Sequence, residues 1–117
     1  MGKDLSFWKY QDGVYHDNQE VYKKLSDGDF VEGLATLPVS KIINDISANF
    51  TDWDKKSDCD FESGNAAFQI FTTEQFVRID CYGVSDDDMN KIIDILFKYD
   101  CPLYDSQISM RFDGRGN

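Results

Sequence analysis

The chain has 117 residues, 41% hydrophobic and 15% aromatic, apolar material enough for one buried core, which excludes a disordered or fibrous chain. Its 22 acidic against 12 basic residues give a formal net charge of −10, which repels free DNA or RNA and suits a basic partner, although the same surplus also serves as an ordinary solubility device. No run approaches the roughly 18 apolar residues needed to span a bilayer, and the opening MGKDLSFWKY carries charge where a secretion signal is apolar.

A cytoplasmic protein with no membrane association is therefore expected. Cys59, Cys81 and Cys101 are odd in number and have no CxxC spacing, which argues against structural zinc and for buried thiols in a reducing compartment.

In chain order, the aromatic-rich LSFWKYQ (5–11) reads as a strand ending at the turn Asp12-Gly13. Asp17 and Glu20 have capping-box spacing, so a short helix follows, turning Val21 and Leu25 inward and stopping at Gly28. DFVEGLA (29–35) is a weak strand. Behind Pro38, Val39, Ile42, Ile43, Ile46 and Phe50 recur at helical spacing and form the stripe of a second helix. The connector DWDKKSDCDFESG (52–64) reads as a solvated acidic loop. Its alternating Asp58, Asp60 and Glu62 fail as a calcium loop, because Ser63 stands where glycine is needed and Gln69 where an acid is needed.

AAFQIFTTEQFVRIDCYG (66–83) reads as a hairpin turning around Thr73 and Glu74. In its second strand Val77, Ile79 and Cys81 suit a core, while Phe76, Arg78, Asp80 and Tyr82 face the other way. Asp86, Asp87 and Asp88 then raise the question of a metal or catalytic carboxylate cluster. Ser85 before them is a good N-cap, the helix dipole favours negative charge in the first turn, and Met89, Ile92, Ile93, Leu96 and Phe97 follow as an apolar stripe. A helix start accounts for all three. Pro102 ends that helix, and Ile108, Met110 and Phe112 alternate with Ser109, Arg111 and Asp113 as a last strand.

This order predicts a single α+β domain over 1–117: an antiparallel or mixed sheet, split β-α-β-like, with helices packed on one face. The other face then presents Arg78, Asp80, Tyr82, Arg111 and Asp113. No motif names a reaction. His16 is the only histidine and sits in a turn beside Asp17, and no glycine-rich phosphate loop is present. The chain reads as a non-enzymatic protein without metal or cofactor. The expected partner contacts are Asp52, Asp54, Asp58, Asp60 and Glu62 in the connector, Asp86 and Asp87 at the helix start, and Tyr82 and Arg111 on the open sheet face. Trp8 and Phe76 read as core.

With FVRIDCYG (76–83) and YDCPLYDSQISMRFDG (99–114), the chain resembles in overall style the immunity proteins of bacterial contact-dependent growth inhibition and related polymorphic toxin systems. The resemblance implies a bacterial, non-enzymatic protein that binds one cognate toxin domain, often a basic nuclease, and blocks its active site. The residues alone leave open a small-molecule-binding or regulatory α+β domain.

Overall fold

Alternating apolar residues form the central strands of one sheet, and apolar stripes at helical spacing form the helices that pack on it. The computed structural model describes residues 2–112, in the order β1 (Gly2–Phe7), α1 (Asn18–Ser26), α2 (Val39–Asn49), β2 (Asp54–Ser57), β3 (Asp60–Ser63), β4 (Ala66–Thr73), β5 (Phe76–Tyr82), α3 (Asp86–Lys98), β6 (Leu103–Asp105) and β7 (Met110–Phe112). Among the described residues the strands form one sheet in the order β2-β3-β4-β5-β1-β6-β7, antiparallel at every pairing. β5 and β6 run parallel to one another, are joined through α3, and receive β1 between them. That is the expected split β-α-β unit.

The helices begin where the sequence places them. Asp17 caps α1 by accepting the backbone N–H groups of Gln19 at 2.9 Å and Glu20 at 3.2 Å. Ser85 caps α3 by accepting the N–H of Asp88 at 3.1 Å, with Asp86, Asp87 and Asp88 in the first turn. In the first turn Asp88 pairs with Lys91 at 3.7 Å.

Both faces of the sheet are packed, which amends the expectation of helices on one face. Helices α2 and α3 cover Leu5, Phe7, Phe61, Phe68, Ile70, Val77, Ile79 and Cys81 with Ile42, Ile46, Phe50, Ile92, Ile95 and Leu96. On the opposite face α1 and the following loop bury Trp8, Phe76 and Tyr104 beneath Val21, Leu25, Val31 and Leu34. The cause is aromatic bulk: outward-facing Trp8, Phe76 and Tyr104 would leave a large apolar patch in water, and α1 closes over it. Trp8 and Phe76 are fully buried, as core residues are. Gln75 ties the loop down by donating to the carbonyl of Val31 at 2.8 Å and accepting its N–H at 3.0 Å.

Three other expectations change. The connector is a strand pair, β2–β3, not a solvated loop: Ser63 and Ala66 flank the two-residue turn Gly64-Asn65, with Gly64 at φ 60°, and β3 pairs along β4. Glycine opening a two-residue turn matches the twist of a hairpin. Segment 29–35 contributes only an isolated bridge, Tyr10 to Leu34, among the described residues. Near the C-terminus the buried strand is β6, while Ile108 in the turn after it and Met110 on the outermost strand β7 are 55% and 51% exposed. Asp113 lies outside the described residues.

Candidate interaction face

The second face of the sheet divides into a covered half and an open half, and strand register decides what each displays. Cross-strand partners share a face, as do residues two apart on one strand. One row runs Asp54, Glu62, Ala67, Tyr82, Gly2. The next runs Asp60, Gln69, Asp80, Asp4. The third, Phe71, Arg78, Ser6, Tyr104 and Arg111, lies under or beside α1. The open half therefore consists of the first row and the β3–β4 side of the second.

Its charges are unequal. Asp54 and Glu62 are exposed, and Asp60 is half-buried and accepts a hydrogen bond from the Ser57 hydroxyl at 3.1 Å. Asp60, Glu62 and Gln69 border a shallow hollow of about 250 Å³, with Lys56 at its rim. Further in, charge is satisfied internally. Arg78 forks onto Asp80 through Nε at 3.0 Å and Nη2 at 3.3 Å while its guanidinium lies 4.9 Å from the Phe71 ring centre. Tyr22 on α1 donates to the Asp4 carboxylate at 2.6 Å. Burial pushes the Asp80 carboxyl above its ordinary value, Arg78 opposes that rise, and the facing Asp4 carboxylate adds to it.

Tyr82 is 49% exposed and stands at the open end of the face. One edge of its ring rests on Gly2: a Cβ there would lie 3.0 Å from the ring. A side chain at position 2 would force the ring to move, so glycine sets where the ring lies.

The other expected contacts sit elsewhere. Asp52 is exposed in the turn before β2, and Asp58 in the turn between β2 and β3, paired with Lys55 at 3.3 Å. Asp86 and Asp87 are exposed at the start of α3, whose packing is on the opposite side of the sheet. Arg111 belongs to the covered half: its Nη2 donates to the Trp8 carbonyl at 2.6 Å, and its guanidinium lies 4.6 Å from the Tyr10 ring centre and 5.4 Å from that of Trp8. It braces the second core instead of facing outward. Sequence reasoning missed Ala67 and Gln69 as members of this open half. The Gly64-Asn65 turn, flanked by strand residues, was the signal that would have set their register.

Elsewhere, His16 is exposed and its Nε2 lies 2.9 Å from the Glu32 carbonyl, beside a hollow of about 350 Å³ lined by Asp17, Glu20, Lys24 and Phe30. Among the described residues no three His, Cys, Asp or Glu side chains converge to hold a metal ion, and no helix is long and apolar enough to cross a membrane. No known family model matches the chain, and no curated protein matches it significantly.

Proposed function

We propose that this chain is a non-enzymatic immunity protein that binds a cognate basic toxin domain, a nuclease, and occludes its active site with the open acidic half of the sheet. The observation that carries this reading is the register that sets Asp54, Asp60, Glu62 and Tyr82 on one uncovered face. A nuclease presents cations to phosphate, and a rigid carboxylate face with an aromatic anchor fits that surface in charge and in composition. The three free cysteines support action in a reducing, cytoplasmic setting. The acidity disfavours direct nucleic-acid contact.

Co-expression with the product of an adjacent toxin-like gene tests the reading. Cell growth is rescued by the native chain and lost with the double variant Asp54→Lys, Glu62→Lys. In vitro, association slows steeply with added salt and with the same double variant, since steering acts on the on-rate. Rescue by the charge-reversed protein equal to that by the native one refutes the proposed face.

A further inference from the structure

The end of the sheet away from the acidic hairpin carries the opposite local charge. A hollow of about 220 Å³ opens there among the loop that follows β1, Pro102 before β6 and Arg111 on β7, and its lining includes Lys9, Tyr10, Asp12 and Tyr15. Lys9 and Arg111 are half-buried in that lining, whereas Asp12, its one carboxylate, is exposed. Burial strengthens the field of the two cations, and water screens that of the aspartate. Lys9 makes no ion pair among the described residues.

The three thiols report the local charge. Cys59 feels Asp58 and Asp60, and Cys81 feels Asp80 and Asp4 ahead of Lys3, so aspartates add to the rise that burial causes at both. Burial pushes Cys101 up to about 12, but the charges acting on it are Arg111 and Lys9, which pull it back. In a chain of net charge −10 this is a local reversal of sign.

Arg111 is held in place before any ligand arrives. Its Nη2 donates to the Trp8 carbonyl at 2.6 Å, and its guanidinium lies 4.6 Å from the Tyr10 ring centre, while the Tyr10 hydroxyl is itself tied to the Asn18 side chain at 2.6 Å. A cation fixed beforehand loses little freedom on binding, and a guanidinium suits phosphate oxygens. The hollow is smaller than the roughly 300–1,000 Å³ of pockets that enclose a drug-sized ligand, so it admits one small group. A phosphate monoester carries about −1.5 to −2 charges near pH 7 and matches two cations, which a single carboxylate does not.

We infer that this hollow is a phosphate seat, in which Arg111 and Lys9 hold the phosphate group of a small molecule beside the Tyr10 and Tyr15 rings. It lies at the β6–β7 end of the sheet, and Asp54, Asp60 and Glu62 lie at the β2–β3 end, so the seat and the docking face stand or fall separately.

The test uses amide and arginine side-chain N–H resonances of the isotopically labelled full chain, titrated with inorganic phosphate, acetate and adenosine monophosphate at an ionic strength held constant with sodium chloride. The expected result is that phosphate moves the amides of residues 9 to 15 and the side-chain resonances of Arg111 most, saturates, and binds more tightly than acetate. Lys9→Gln weakens phosphate binding by about threefold and Asp12→Asn strengthens it by about twofold. Arg111 stays native throughout because it braces the second core, and each variant's spectrum reports its own fold. Tighter binding of the nucleotide than of inorganic phosphate, with Tyr15 shifted as well, assigns the phosphate to a nucleotide; equal binding shows that the seat reads the phosphate alone. Absence of saturable shifts at residues 9 to 15 refutes the seat. So does equal phosphate binding by the native and Lys9→Gln proteins, or acetate binding as tightly as phosphate.

Discussion

The acidic hairpin hangs on one side chain, and replacing it should separate the hairpin from the rest of the fold. β2 is exposed throughout, and on β3 only Phe61 is fully buried, 1% exposed and stacked on Phe68 with ring centres 4.8 Å apart and planes 12° from parallel. Phe68 in turn meets Phe50 at 5.1 Å and Trp53 at 5.2 Å, so Phe61 is the outermost ring of an aromatic run that reaches α2. Truncating a buried phenylalanine to alanine costs about 3–5 kcal/mol. The lower end applies here, because β3 lies next to the sheet edge and the exposed hairpin can settle into part of the space. For a domain of this size about 3 kcal/mol corresponds to roughly 12 °C in melting temperature.

The loss should also be local. Phe61→Ala removes the anchor of β2 and β3 but leaves the β4-β5-β1 pairing in place. Hydrogen exchange by NMR is then expected to show β3 amides losing protection while those of β5 and β1 keep theirs relative to global unfolding. Phe61→Leu recovers part of the stability. A melting-temperature drop below about 4 °C together with unchanged β3 protection would show that backbone pairing alone holds the hairpin, and would refute the anchoring role.

Two further outcomes follow from burial of ionisable groups. The Asp80 carboxyl titrates above its ordinary 3.8 in the fold, burial being the main cause, so within that window the folded state keeps a proton that the unfolded chain has released. Asp80 therefore contributes stability that is fully present below pH 3.8 and declines as pH rises through the raised value. Denaturant titrations across that window should show a smaller fall of stability with rising pH for Asp80→Asn than for the native chain, and identical pH slopes would contradict this. Burial also pushes the thiols of Cys81 and Cys101 up to about 12, and both are nearly inaccessible. Near pH 8 a disulfide reagent should titrate Cys59 alone in the native protein, and slowly, since burial and the neighbouring Asp58 and Asp60 raise that thiol too. Fast reaction of a second thiol without denaturant would argue against the packed core.

Much of the fold was legible because local signals agreed with it. Asp17 and Ser85 cap helices, the apolar stripes of α2 and α3 turn inward, and Val77, Ile79 and Cys81 alternate into the core. What escaped was set by tertiary pairing. The charge of 52–64 concealed two strands, β2 paired to β3 and β3 to β4, whose one apolar clue is the buried Phe61. The placement of α1 on the second face depends on Trp8, Phe76 and Tyr104 gathering from three distant segments, which no window of sequence displays. The candidate face shows the same division. Asp54, Asp60, Glu62 and Tyr82 were legible as exposed polar or aromatic residues, but their alignment into rows needed the register. Arg111 was misread because alternation gives the face a side chain points to, and not whether Tyr10 and Trp8 already occupy the space around it.

The central position of β1 bears on how the molecule comes together during synthesis. Gly2 to Phe7 find their partners in Tyr82 to Val77 and in Leu103 and Tyr104, nearly the length of the chain away. The meander from β2 to β5 can assemble from neighbours, whereas β1 is translated long before either flanking strand leaves the ribosome and must wait unpaired. Closing so long a loop slows the last step and leaves an apolar ribbon, Leu5 to Trp8, open to chaperones in the interval.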